Sequence, residues 1–384
     1  MAIYLDYAAT VPMSPEVLSH YTDALAVVGN PSSIHSFGQS ARQMVEESRE
    51  AIALAVNADR NEVIFTSGGT EGNNLAIKGL FWQRSSEVPT RKKIVSTYTE
   101  HHAVIDTIEW LEKHEGAEAV WVPVSEDGEI DFDWYSRYLT EHGNDVALVT
   151  FMLANNEIGV LTNLKKFVEV ANQFQIPCHT DAVAAFGYVP IDFSELGLAT
   201  MAISAHKVGG PVGVGALLVS RATKITSLIQ GGGQERGLRS GTLNAAGAKA
   251  FAFAANVALA NMDSHNSHTR KLVEQIRQTV MQQIPGARFS RGNQPGLSHN
   301  AHFTFEGAKS DSLLFLLDQA GYAASAGSAC QAGVARPSHV LLAMGRSEAQ
   351  ANGTLRFTLS ERTSEAEVAQ LLEILPTIVA TARA

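Results

Sequence analysis

The chain has 384 residues and a formal net charge of −10, with 45% apolar and 18% charged residues. That length suits about two domains with a core large enough to need no disulfide or metal staple, and the composition excludes a disordered chain. An acidic chain without a basic block excludes nucleic acid and an anionic membrane as expected partners, and two cysteines, Cys178 and Cys330, are too few for a disulfide framework, which points to a reducing, cytoplasmic compartment.

The N-terminus, MAIYLDYAAT, lacks the basic-then-apolar pattern of a secretory signal. The first predicted strand is 62–66 (EVIFT), followed by a Ser-Gly-Gly turn and a helix over about 70–82. Strands are expected at 93–96, 119–122 and 146–150, with helices at 102–114 and 164–174. Strands at 176–180, 200–204 and 215–219 complete the series. The apolar stretch 251–260 is too short to span a membrane and reads as a buried helix. Strands separated by helices predict an α/β fold with a mostly parallel sheet covered on both faces. The character changes after about residue 260. A polar stretch, NMDSHNSHTRK, leads into a helix at 272–284. Strands follow at 302–305 and 355–359, and a terminal helix over 365–382 is expected to be interrupted by Pro376. This predicts a second, smaller domain.

In parallel sheets ligands sit beyond the carboxyl ends of the strands. The turn Ser67-Gly68-Gly69-Thr70-Glu71 joins such a strand end to a helix start. Its glycines and the helix dipole suit a phosphate, although a helix capped by Ser67 or Thr70 gives the same pattern. Asp181 ends the run IPCHTD and could hold a cationic ring nitrogen, or cap a helix. Lys207, in SAHKVGGPVGVG, ends another apolar run and could form a Schiff base with an aldehyde. A carboxylate, a Schiff-base lysine and a phosphate turn are the parts that a pyridoxal phosphate site needs.

Further candidates follow the same rule. His101-His102, after the strand KIVS, offers an imidazole to stack on a ring or relay protons; a helix-start residue and a metal ligand are the alternatives. Neither CxxC nor HExxH spacing occurs, so no metal is expected. Cys330 lies among Ala, Gly and Ser in ASAGSACQAGVARP, which predicts a mobile loop with an accessible thiol. Cys178, inside a strand pattern, is expected in the core. Asn155-Asn156-Glu157 follows the run VALVTFML and can bond a cofactor hydroxyl. Arg356, in GTLRFTLS, can fork onto a substrate carboxylate or form a structural ion pair.

Together these motifs resemble the NifS/IscS-type cysteine desulfurases of the class V aminotransferase family. The resemblance runs through YLDYAAT at 4–10, GNPSSIHSFG at 29–38, FTSGGTEGNNLAIKG at 65–79, TEHHAV at 99–104 and ANNEIG at 154–159. It continues through HTDA at 179–182, SAHKVGGPVGVGAL at 204–217, GGGQERGLRSGT at 231–242, GSAC at 327–330 and LRFTLS at 355–360. It implies a fold-type I, pyridoxal 5'-phosphate-dependent transferase and a homodimer. The implied division is a large cofactor domain over 16–260 and a small α+β domain from 1–15 and 261–384. The family pattern places the cofactor on Lys207, pairs Asp181 with the ring nitrogen and stacks His101 on the ring. Gly69, Thr70, Ser204 and His206 match its phosphate-binding positions, and Thr242 would reach the phosphate of the neighbouring subunit. Asn156 matches its cofactor-contacting asparagine. Arg356 matches the residue that binds the substrate carboxylate, with Asn30 nearby, and Cys330 matches the nucleophile.

The implied reaction converts L-cysteine to L-alanine and passes sulfur, as a Cys330 persulfide, to an acceptor protein. Some relatives serve iron–sulfur cluster assembly. Two departures stand out: Ala184 replaces a usual glutamine at the cofactor's ring hydroxyl, and Ala205 replaces a usual glycine. The chain is also expected to lack the C-terminal extension with which some relatives dock a scaffold protein. Ala184 favours the alternative reading, another reaction on the same scaffold: a selenocysteine or sulfinate lyase, or an aminotransferase. A cofactor-free regulatory protein is the third reading.

Overall fold

The computed structural model describes residues 2–327 and 337–384. A seven-stranded sheet has the spatial order Val63–Thr66, Gly215–Val219, Thr200–Ser204, Cys178–Asp181, Val146–Thr150, Lys93–Ser96, Glu118–Trp121. Only Gly215–Val219 runs antiparallel to its two neighbours; the other pairings are parallel. The sheet is buried on both faces, and its strands carry the near-continuous apolar runs that this burial requires. Alternate side chains enter two cores. Phe65, Met201 and Ile203 join one core with residues of the helices Ser36–Ala55, Leu164–Gln173 and Ala245–Ala260. Ile64, Ala202 and Leu217 join the other with the helices Gly69–Glu87 and His102–Glu115. The expected α/β architecture is therefore present, with most strand ends within two residues of expectation.

A third core draws Leu5 together with residues from Leu272 to Val379. It is built on an antiparallel sheet of Ala287–Phe289, Asn300–Phe305 and Thr354–Thr358, covered by the helices Met262–Gln283 and Glu365–Arg383. Ile3–Tyr4 pairs in parallel with Tyr322–Ala323, which brings the first residues of the chain to this side.

Three local expectations are corrected. The polar stretch 261–271 is not a lead-in: its residues from Met262 on are already helix. His265 and Thr269 occupy the buried stripe that continues through Leu272, Val273, Ile276 and Val280. Thr269 Oγ1 satisfies itself on His265 O at 2.8 Å, so polar residues take core positions at helical spacing. The terminal helix is not interrupted at Pro376. Its Ser364–Glu367 capping box and a buried face that includes Leu371, Leu375 and Val379 outweigh the roughly 3 kcal/mol that an internal proline costs. The helices Pro15–Leu25 and Ser36–Ala55 precede the first predicted strand and are additional to the expected elements. Among the described residues no helix is long and apolar enough to cross a membrane.

Candidate active site

A cavity of about 400 Å³ opens beyond the carboxyl ends of the parallel strands, where the third core meets the large sheet. Its walls bring together Gly69, Thr70, His101, Asn156, Asp181, Ser204, His206, Lys207 and Arg356. Residues up to 287 positions apart in sequence thus share one wall because each follows a strand end or faces that end. Asn30 and Thr242 are exposed and lie outside the lining. Cys330 lies outside the described residues.

Lys207 closes a single 3-10 turn, Ala205–Lys207, directly after the strand Thr200–Ser204. Its Nζ donates to Ala8 O at 2.5 Å and Ala9 O at 3.0 Å. The N-terminal segment, whose Tyr7, Ala8 and Ala9 line the cavity, therefore holds the amine in place. Ala205, in place of glycine, is fully buried, and its Cβ fits because Gly210 opposite has none: a Cβ there would lie 2.9 Å away.

Asp181 is 4% exposed. Its Oδ1 accepts from Val183 N at 2.9 Å in the turn after the strand, so it caps a turn and not a helix. Its Oδ2 accepts from Asn73 Nδ2 at 2.6 Å. His101 is both helix start and cavity wall. It is the N-cap of His102–Glu115, with Nδ1 accepting from Ala103 N at 3.0 Å, which leaves the ring proton on Nε2. Burial lowers its pKa, and Asp181 opposes that shift. His206 is pushed down to about 4 by burial and by the neighbouring Lys207, so both imidazoles are neutral at pH 7. His102 instead pairs with the exposed Asp106 at 2.9 Å. Glu100 is fully buried, and its carboxyl is raised well above the usual range by burial, with Asp181 pushing the same way. Its Oε1 accepts from Met152 N at 2.6 Å.

The helix Gly69–Glu87 starts at Gly68 with no side-chain cap, so neither Ser67 nor Thr70 fills the role expected of a simple cap. Its first amides are left for a ligand. A Cβ on Gly69 would lie 2.5 Å from Val183 Cγ2, so glycine lets the turn close against the strand end of Asp181 without moving Val183. Arg239 binds Glu71 through Nε at 2.7 Å and thereby fastens the segment 231–242 beside this turn.

Arg356 combines the two readings open to it. Nη2 pairs with Asp6 Oδ1 at 2.9 Å and Nη1 donates to Asn156 O at 2.6 Å. Among the described residues its Nε is buried without a hydrogen-bond partner, as are Asn156 Oδ1 and His299 Nδ1, and all three residues line the cavity. Asn155, by contrast, is spent on the backbone of Thr99, Glu157 and Ile158. Cys178 is buried and its thiol is pushed up to about 12 by desolvation, the state of an inert core residue.

Sequence reasoning missed several cavity residues: Tyr7, Ala8, Ala9, Asn73, Tyr188, His299 and Asn300. For Asn73 a signal existed. It stands four positions after Gly69 on the same helix face, where a polar residue points at whatever Gly69 faces. Ala184 lines the cavity, and so does Tyr188, four positions further on, with Oη donating to Lys207 O at 2.8 Å. The amine, the carboxylate, the uncapped glycine turn and the orphaned buried polar atoms fit a flat cationic ring with an anionic arm and a carboxylate-bearing substrate.

Known proteins give the same reading. The Aminotransferase class-V family profile matches residues 3–371. An IscS-like cysteine desulfurase of Mycobacterium tuberculosis is 45% identical over 381 residues, covering 99% of this chain and 97% of that protein. A solved NifS-like protein superposes with a TM-score of 0.90 at 29% identity, covering 99% of this chain and all of that one. A structure of SspA in complex with cysteine has a TM-score of 0.80 at 30% identity, over 94% of this chain and all of that one. The chain belongs to the class-V aminotransferase family.

Proposed function

We propose that the protein is a pyridoxal 5'-phosphate-dependent cysteine desulfurase, which converts L-cysteine to L-alanine and passes the sulfur from Cys330 to an acceptor protein. The observation that carries this reading is the convergence of Lys207, Asp181, His101 and Arg356 on one cavity. Relatives of nearly the same length named as cysteine desulfurases, and a neighbour solved with cysteine, support it. When bound, pyridoxal phosphate supplies an aldehyde for the amine and a cationic ring that withdraws electrons from the substrate. Gly69, Thr70, Ser204 and His206 would hold its phosphate, with Thr242 contributed by the neighbouring subunit of a homodimer. Asp181 would pair with the ring nitrogen, Asn156 would contact the ring and His101 would stack on it.

The chain's own residues then divide the work. Arg356 binds the carboxylate of L-cysteine, with Asn30 nearby, and its buried Nε is the donor still without a partner. Lys207 Nζ takes the proton from the substrate Cα. The Cys330 thiolate attacks the substrate sulfur: an S–S bond forms, the Cβ–S bond breaks, and its electron pair stays on carbon, which is protonated to give alanine. A serine there is a poor nucleophile toward sulfur and cannot store it. The described residues around Cys330 support its role. Ser325 exchanges both backbone hydrogen bonds with Arg356, and His339 Nε2 meets Glu100 O at 2.9 Å, so the chain is anchored beside the cavity before and after it.

We also assign 16–260 to the cofactor domain and 1–15 with 261–384 to the small domain. Leu5 in the third core supports the return of the N-terminus to that side. The test is release of alanine and sulfide from L-cysteine by cofactor-loaded protein with a thiol reductant present. Equal amounts of both are expected. A coloured protein that releases neither, yet acts on selenocysteine or a sulfinate, would transfer the assignment to the alternative that Ala184 in the cavity wall favours.

A further inference from the structure

Asp181 is the last acceptor of a hydrogen-bond chain that runs back from the cavity through the sheet. Asn73 Nδ2 donates to Asp181 Oδ2 at 2.6 Å. Asn73 Oδ1 lies 3.0 Å from His179 Nε2, and His179 Nδ1 lies 2.8 Å from Thr200 Oγ1. All four residues are at least nine-tenths buried. They come from three elements: the helix Gly69–Glu87 and the neighbouring strands Cys178–Asp181 and Thr200–Ser204, in which His179 and Thr200 are register partners.

The Asp181 end of the chain has a defined direction. A carboxylate only accepts, so the Asn73 amide nitrogen faces Asp181 and the Asn73 oxygen faces His179. That oxygen calls for a donor, which favours the His179 tautomer with its proton on Nε2. In that tautomer Nδ1 can accept from the Thr200 hydroxyl. His179 is neutral, its pKa pushed down to about 3 by burial, so the chain carries direction without a second charge. Around the carboxylate, burial raises the Glu100 carboxyl and lowers the His101 imidazole, and Lys207 lines the same cavity.

We propose that Asn73, His179 and Thr200 are positioning residues that hold the Asp181 carboxylate aimed into the cavity, and so set how strongly the bound ring nitrogen holds its proton. The proposal rests on the reading of Asp181 as that nitrogen's partner. A donated hydrogen bond favours the charged form of a carboxylate. Without it, Asp181 turns more freely and pairs less well with the ring nitrogen, and a ring that loses its positive charge raises the proton affinity of the nitrogen joined to it.

The test uses the full chain reconstituted with pyridoxal 5'-phosphate and reads visible absorbance against pH. Asn73→Leu removes both ends of the central link. Its absorbance midpoint is expected to rise by about one pH unit, the size of a lost charge-assisted bond. Its kcat for L-cysteine should fall at least about tenfold while KM stays within about twofold. Thr200→Val, nearly isosteric, frees the His179 tautomer and should shift the midpoint in the same direction by less. His179→Gln should stay close to the unaltered protein, because a glutamine amide can donate to Asn73 and its oxygen can accept from Thr200. His179→Leu should not. A merely structural role would lower the melting temperature in proportion to the packing lost and leave the midpoint in place. An unmoved midpoint in a folded, coloured Asn73→Leu protein, or in Thr200→Val should Asn73→Leu fail to fold, would overturn the proposal. Absence of any visible band in the unaltered protein would instead overturn the cofactor reading and this inference with it.

Discussion

The two ends of the cavity are built differently. At the Asp181 end every polar atom of the carboxylate has a partner, Asn73 on one oxygen and Val183 N on the other. At the Arg356 end the guanidinium is half engaged, by Asp6 and Asn156 O, while Arg356 Nε, Asn156 Oδ1 and His299 Nδ1 are buried without partners. A buried polar atom left unsatisfied costs about 1–3 kcal/mol. The first end is finished before anything binds. The second recovers that cost only when a ligand with a carboxylate and further polar groups arrives. One end is built to hold a resident group in fixed register, and the other to gain affinity from a transient one.

The two ends are separable by mutation. Asp181→Ala should have the largest effect, a loss of about 10³-fold or more in cysteine turnover, with an altered visible spectrum of bound cofactor. Next comes Arg356→Lys, which keeps the charge but loses the fork. It should leave the spectrum intact and lower kcat/KM about 100-fold, most of it in KM, as steady-state kinetics would read. A spectral change in Arg356→Lys without a KM change would merge the two ends and break the comparison.

Stability against pH tests the buried imidazoles of both ends together. Burial holds His101, His179, His206, His299 and His302 below their ordinary pKa, with His206 at about 4 and His179 and His302 at about 3. Below pH 6.5 the unfolded chain binds protons that the folded chain refuses, so their contribution is whole above pH 6.5 and shrinks as pH falls from there to about 3. Glu100 acts oppositely, since its raised pKa makes the folded chain hold a proton that the unfolded chain releases above about pH 4.5. Five histidines outweigh one carboxyl, so the melting temperature should fall steadily between pH 6.5 and 4. A flat profile would mean these imidazoles are not held neutral. The smallest effect belongs to Cys178→Ala: about 1 kcal/mol of stability by denaturant titration, with cysteine turnover unchanged, because that thiol faces only core.

Much of the site was legible because its residues announce themselves where runs end. Lys207 and Asp181 each close an apolar run, and Gly69 stands at a strand-to-helix turn. The rest was hidden for physical reasons. The carbonyls of Ala8 and Ala9 that hold Lys207 are backbone atoms and carry no sequence signature. His299 sits in a turn-rich region with no period to say which way it faces. Asn73 carried a signal in its spacing from Gly69, but its link to His179 joins residues 106 positions apart and has none. The helix that passes Pro376 was misread because local propensity says nothing of the core on which Leu371 and Leu375 are seated. The polar half of Met262–Gln283 was misread because His265 and Thr269 occupy stripe positions usually filled by apolar residues.

The account turns on sulfur leaving the substrate for the protein. The most direct measurement is the intact mass of the cofactor-loaded chain after brief exposure to L-cysteine without reductant, with peptide mapping of the product. The prediction is one added sulfur atom on Cys330, released by reductant, matched by alanine, and absent in Cys330→Ala, which keeps its cofactor spectrum. Alanine and sulfide formed by Cys330→Ala at the unaltered rate, with no sulfur carried on the unaltered chain, would contradict it.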